Sequence, residues 1–232
     1  MANWFLGRAL AEEAKAENAP WSFLGEGAAF WVTVAVLLVA GMAVYLVTRK
    51  KSSKKSFWTA KTMAVGAMCM ALSSVLSLIK LWSMPMGGSV TPASMLPLLL
   101  FAYCYGVGPG MVLGALYGVM QFLLDGMAWA ALGAIPNLLD YPIAFGLLGL
   151  AGCFRGSKAK MTASFVLGCF GRFMASFLSG FIFYGQYAPE GVNPVWYSLT
   201  YNGSYMLVEC IICIALGLLV GERLAKELKK VA

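Results

Sequence analysis

Asp140 and Tyr141, in the run Leu138-Leu139-Asp140-Tyr141-Pro142, stand with Tyr184, Tyr197 and Asn202 at the ends of segments otherwise apolar enough to lie in lipid. An ionisable side chain is expensive to keep there, so these positions are the first candidates for function. A carboxylate accepts hydrogen bonds and balances positive charge, a phenol offers a stacking face, and a carboxamide both donates and accepts. Together they fit one pocket for a small, flat, cationic molecule. Catalysis is harder to assemble. The chain has no histidine, which removes every Ser-His or Cys-His pair, and no Gly-x-x-x-x-Gly-Lys-Ser/Thr loop through which it could hydrolyse ATP itself. The six cysteines, Cys69, Cys104, Cys153, Cys169, Cys210 and Cys213, all fall in apolar segments and read as small buried hydrophobes. No catalytic residue, metal site or cofactor is expected.

The elements that carry these residues must be membrane helices. Of the 232 residues, 60% are hydrophobic and 12% charged, against about 25% charged in a soluble domain. The net charge of +7 does not point to nucleic acid, because its placement follows the membrane. Arg49, Lys50, Lys51, Lys54, Lys55 and Lys61 form one group, Arg155, Lys158 and Lys160 a second, and Arg223, Lys226, Lys229 and Lys230 a third. Each lies beside an apolar segment, as the positive-inside rule expects of cytoplasmic loops. The partner implied by the charge is the lipid bilayer.

Three regions follow along the chain. Residues 1–27 mix Arg8, Glu12, Glu13, Lys15 and Glu17 with Trp4, Phe5 and Leu10, which fits an amphipathic surface helix or a solvated tail equally well. Residues 28–55 hold an extra transmembrane helix, helix zero, of about 20 uncharged residues, and a basic cytoplasmic linker. Residues 56–232 form an all-α six-helix membrane domain with apolar segments at about 60–80, 92–107, 109–125, 138–154, 162–184 and 197–221. Placing all three basic groups in the cytoplasm leaves the N-terminus outside, the C-terminus inside, and three connections, 80–91, 126–137 and 185–196, on the outer surface. Asp140, Tyr141, Tyr184, Tyr197 and Asn202 then lie near one outer face, and the pocket opens outward.

Each candidate has a plainer reading. Asp140 begins the fourth segment and can serve as its N-terminal cap, the tyrosines suit an interfacial aromatic belt, and Asp125 and Glu190 lie near loops. Glu209, deep in the sixth segment, can pair with Arg172 of the fifth, neutralising two charges inside the membrane. Gly110, Gly114 and Gly118 form a small-residue ladder suited to helix packing within the subunit. Ala64, Ala67 and Ala71 with Gly66 form a second smooth face, suited to internal packing or to a partner.

At Gly87-Gly88-Ser89-Val90-Thr91-Pro92, at Leu139-Asp140-Tyr141, and from Gly180 through Gly203, the sequence resembles the thiamine-specific substrate-binding (S) components of energy-coupling factor transporters. The resemblance runs from about Ala60 to Gly221 and leaves helix zero outside it. It implies a bacterial plasma-membrane subunit that captures thiamine from outside, performs no chemistry, and docks on a transmembrane coupling protein bearing two ATPase subunits. The family's ligand contacts fall on Asp140, Tyr141, Tyr117, Tyr184, Tyr197 and Asn202, with Trp82 as a lid candidate, and its Ala-x-x-x-Ala docking face falls on Ala67 and Ala71. Ser176 stands where some members carry histidine, and Tyr184 where the stacking residue can be tryptophan. Alternatives are a binding subunit for the pyrimidine or thiazole moiety of thiamine, or a self-sufficient secondary transporter; against the second, no internal repeat or paired broken helix is visible.

Overall fold

A computed structural model describes residues 58–84, 87–125, 134–189 and 191–231. The N-terminal tail, helix zero with its basic linker, most of the 126–137 connection, and Glu190 lie outside the described residues. The described residues form a helix bundle with one small hairpin. Helix α1 (Ala60–Leu78) is capped by Thr59, whose hydroxyl accepts the Thr62 amide at 3.1 Å. Strands β1 (Trp82–Ser83) and β2 (Ser89–Val90) pair antiparallel, Trp82 opposite Val90. Helices α2 (Leu96–Tyr105) and α3 (Val107–Leu124) follow. They are joined by the single residue Gly106 at φ 109°, a left-handed angle that a residue with a Cβ rarely adopts.

The fourth helix, α4, is composite. Ala134–Leu138 runs into a π-turn over Leu139–Ile143, then an α-turn over Ala144–Leu147 and a 3-10 segment over Leu148–Gly152. Pro142 lies inside the π-turn; proline lacks the amide a regular α-helix needs, and the wider turn accommodates it. Helix α5 (Lys158–Ile182) is capped by Ser157. Helix α6 (Pro194–Leu216) is capped by Asn193, whose side chain accepts the Val195 amide at 2.9 Å. A second π-turn, Gly217–Gly221, leads into α7 (Glu222–Val231), so the helix predicted to stop near 221 continues through the basic C-terminal group. The Tyr105 phenol donates to the Leu228 carbonyl at 2.8 Å and holds α7 beneath α2.

Among the described residues, five helices are long and apolar enough to cross a membrane. The exception, α2, has ten residues, about 15 Å of helix. Leu99, Phe101 and Ala102 are fully buried, so α2 is the core around which the others pack and need not match the width of hydrocarbon. Outward-facing positions are just as apolar, with Met68 72% exposed on α1 and Leu219 76% exposed after α6.

The Gly110, Gly114, Gly118 ladder packs α3 against α4, as its spacing predicted. A Cβ on Gly114 would strike the Phe145 carbonyl, and one on Gly118 would lie 2.7 Å from the Pro142 Cα. Gly114→Val is therefore expected to destabilise the domain by about 1–3 kcal/mol, lowering the thermal midpoint of detergent-purified protein by several degrees. Gly108→Ala, where a Cβ meets nothing within 4 Å, serves as the control and is expected to show no loss.

Candidate functional site

The cleft lies where the π-turn of α4, the C-terminal end of α5, the start of α6 and the β-hairpin converge. The π-turn swings Asp140 toward α5, where the Ser179 hydroxyl donates to its carboxylate at 2.7 Å. Asp140 is thus not the N-terminal cap expected of it. The helix begins at Ala134, and Asp140 makes no capping bond. Tyr141 follows on the same turn, edge-on to Phe122 with ring centroids 5.4 Å apart.

Helix α6 supplies the opposite wall. Its buried stripe, Ser198, Asn202, Tyr205 and Glu209, repeats at the three- and four-residue intervals of one helical face. Asn202 donates through its amide nitrogen to the Ser198 carbonyl at 3.1 Å and accepts the Tyr205 phenol at 3.1 Å. Ser198 in turn donates to the Phe177 carbonyl of α5 at 2.8 Å. A Cβ on Gly180 would lie 2.9 Å from the Asn202 amide, so the absence of a side chain there lets the carboxamide reach the cleft beside α5. Tyr184 and Tyr187 are paired with centroids 6.3 Å apart, and Tyr197 and Tyr201 at 5.9 Å. Burial, and then the nearby Asp140 carboxylate, push the Tyr184 phenol above the ordinary tyrosine range, so it remains a donor and an uncharged stacking face.

The structure brings Asp140, Tyr141, Tyr184, Tyr197 and Asn202 to one cleft. Two other sequence candidates lie off its wall. Tyr117 is 1% exposed in the core, its ring edge-on to Phe145 and its phenol donating to Gln121 Oε1 at 3.1 Å. Trp82 is 59% exposed on β1. Ser176 does line the cleft. Asp125, at the rim, pairs with Lys80 at 2.7 Å, and Ser77 also donates to Gln121 Oε1, at 3.2 Å.

The pairing of Glu209 with Arg172 is not formed. Glu209 accepts instead from Thr91 and Ser94 at 2.6 and 2.9 Å. Arg172 places its guanidinium 4.1 Å from the Phe145 ring centroid and lines the cleft, and its buried Nε has no hydrogen-bond partner among the described residues. Sequence reasoning therefore missed Arg172 as a cleft residue, and it missed Gln121 and Tyr205. The signal for Arg172 was present, the one cation of the apolar segment 162–184, but it was matched to the wrong acid. Gln121, one turn after Tyr117, carried none.

Ala67 and Ala71 are exposed on α1, as is Ala64, whereas Gly66 faces inward against Leu113 and Phe101. Gly66 therefore does not belong to that face. Cys69, Cys104, Cys169 and Cys213 are buried, and Cys153 and Cys210 half-buried. Among the described residues, no group of three or more metal-ligating side chains converges.

A multi-spanning helical bundle with a polar, aromatic-lined cleft at one end defines a membrane protein built to hold a small solute. The chain matches the family described as Thiamine transporter protein (Thia_YuaJ) over residues 63–228 and belongs to it. It is 39% identical to the thiamine transporter ThiT of Bacillus subtilis (strain 168) over 145 residues, 56% of this chain and 73% of that protein. To the ThiT of Lacticaseibacillus paracasei it is 32% identical over 134 residues, 52% of this chain and 67% of the relative. A solved structure of ThiT from Listeria monocytogenes superposes with a TM-score of 0.60 over 73% of this chain and 96% of that one, at 20% identity, and establishes the likeness of fold.

Removing the Asn202 side chain strands the Tyr205 phenol, which is 7% exposed. Asn202→Leu is expected to lose about 1–3 kcal/mol of stability, read as a lower thermal midpoint of the ligand-free protein. Tyr205→Phe, which removes the donor and leaves Asn202 at the cleft, is expected to lose less.

Proposed function

We propose that this chain captures thiamine from outside the cell, as the substrate-binding subunit of an ATP-driven uptake complex, and performs no chemistry itself. The observation that carries this reading is the Asp140 carboxylate, held in the membrane by Ser179 and walled by tyrosine faces, in a chain of a thiamine transporter family. Thiamine presents an aminopyrimidine, whose exocyclic amine donates and whose ring nitrogens accept, linked to a cationic thiazolium. Asp140 suits the amine, the unpartnered Arg172 Nε–H suits a ring nitrogen, and the tyrosines suit the cation, since a desolvated cation over an aromatic face is worth roughly 2 kcal/mol. Asn202 can accept or donate at the remaining edge.

The same reading places the N-terminus outside and the C-terminus in the cytoplasm. It is supported by the approach of Lys158 to Glu222 at 3.9 Å, which brings the second and third basic groups to one end of the bundle. Ala67 and Ala71, exposed on α1, are the surface proposed to dock on a transmembrane coupling protein carrying two ATPases, because small side chains let a partner helix approach closely. Residues 28–55 are proposed to add a further crossing ahead of this domain.

Titrating the purified protein with thiamine while following tryptophan fluorescence tests the ligand. Saturable binding in the nanomolar to low micromolar range is expected, weakened at least about tenfold, or 1.4 kcal/mol, by Asp140→Ala. A well-folded sample that ignores thiamine overturns the reading. For docking, Ala67→Leu with Ala71→Leu is expected to leave thiamine binding intact while abolishing uptake in cells that carry the coupling machinery. Uptake that survives the double substitution refutes that surface, and uptake by this chain without any ATPase partner refutes the subunit role.

A further inference from the structure

Glu209 is 1% exposed in the middle of α6, and among the described residues no cation pairs with it. A carboxylate so placed needs donors. It has two, the hydroxyls of Thr91 and Ser94 at 2.6 and 2.9 Å, which themselves stand 2.8 Å apart. The Ser94 amide donates back to Thr91 Oγ1 at 3.1 Å. Between these two residues lies Ala93, at φ 64° the only non-glycine residue with a positive φ among the described residues. It is also 1% exposed. A left-handed alanine is strained and persists only when its surroundings hold it there.

This turn leads directly from β2 into α2. The other end of β2 is fixed by the same helix face. Gly88 lies so close to the Tyr205 ring that a Cβ would come within 2.7 Å of it, and Tyr205 and Glu209 are one turn apart on α6. Gly88 and Ser89 line the cleft. We infer that Glu209 is a positioning residue for the ligand cleft: by clamping the strained Thr91–Ser94 turn, it fixes the strand whose residues Gly88 and Ser89 form one wall. The carboxylate touches no ligand and acts through Thr91 and Ser94. The part of this inference that concerns thiamine rests on the function proposed above; the clamp itself does not.

The test uses full-length protein in detergent and two variants, Glu209→Leu and the isosteric Thr91→Val. Should the first fail to fold, the second still decides. Amide hydrogen exchange of the ligand-free protein is expected to accelerate roughly tenfold or more across residues 88–96, while peptides from α3 are unchanged. Adding Ala93→Gly to Thr91→Val, which relieves the left-handed strain, is expected to restore most of the protection. Exchange that is unaltered at 88–96, or raised equally throughout the bundle, overturns the clamp, as does a failure of Ala93→Gly to rescue. Thiamine dissociation from the Thr91→Val protein is expected to be at least about tenfold faster, with association changed less than about twofold. A loosened turn with unchanged dissociation overturns the positioning role. Wild-type protein that binds no thiamine refutes the ligand, and the exchange result still decides the clamp.

Discussion

The close approach of two backbones, α3 to α4, is the contact on which the cleft depends. Gly114 and Gly118 present no side chain where the Phe145 carbonyl and the Tyr141–Pro142 peptide lie against α3. Without that space, the π-turn would be held farther out. Its wider hydrogen-bonding loop is what turns Asp140 toward Ser179 of α5 and Tyr141 toward the rim. In lipid no hydrophobic force separates one apolar helix face from another, so shape and hydrogen bonding decide which faces meet. The glycine ladder provides the shape, and the polar side chains provide the bonds.

Those bonds are nearly all made within the protein. Asp140 takes Ser179, Asn202 takes Ser198 and Tyr205, and Glu209 takes Thr91 and Ser94. Each joins segments that are neighbours in space or turns of one helix, and each leaves the side chain with little rotational freedom. Arg172 differs. Its guanidinium rests on the Phe145 ring, and its buried Nε in the cleft wall has no hydrogen-bond partner among the described residues. A buried donor left unmatched costs about 1–3 kcal/mol, and a ligand acceptor placed against it would recover that. Preorganised side chains with one unmet donor are what a binding site needs before its ligand arrives.

Much of this was legible in the sequence, and the failures have physical causes. The six apolar segments of the domain and the meeting of Asp140, Tyr184, Tyr197 and Asn202 at one end of it followed from composition and basic charge, because lipid allows few arrangements of backbone. The fourth helix was expected from about 138, yet Ala134–Leu138 is already helical and Pro142 lies inside the π-turn, because proline fits a kink as well as the first turn of a helix. Arg172 and Glu209 were paired on depth alone. Their rotation about α5 and α6 is set by packing, and the hydroxyls that claim Glu209 come from a turn more than a hundred residues earlier. Inside and outside could not be told apart by hydrophobicity, since Met68 facing lipid and Leu99 in the core are equally apolar. Periodicity could have done better for Gly66: at about 100° per residue it cannot share a face with Ala64, Ala67 and Ala71.

The charges of the cleft also bear on the role proposed for Asp140. Asp125 is already matched by Lys80 at 2.7 Å, and Arg172 shares the cleft with Asp140, so the protein's own formal charges there sum to zero. A carboxylate that faced the cleft alone would draw in any cation, and sodium or a polyamine would compete. With Arg172 present, that general attraction is cancelled, and what remains of Asp140 is a directional acceptor beside a directional donor. Such a pair discriminates by the pattern of a ring edge, because an analogue lacking the matching group leaves buried polar atoms unsatisfied. In the function proposed here, the positive charge of thiamine falls to the tyrosine faces, which attract a cation without offering a competing metal ion the oxygen ligands it prefers. On that proposal, selectivity comes from dividing two tasks that a single acid would perform less specifically.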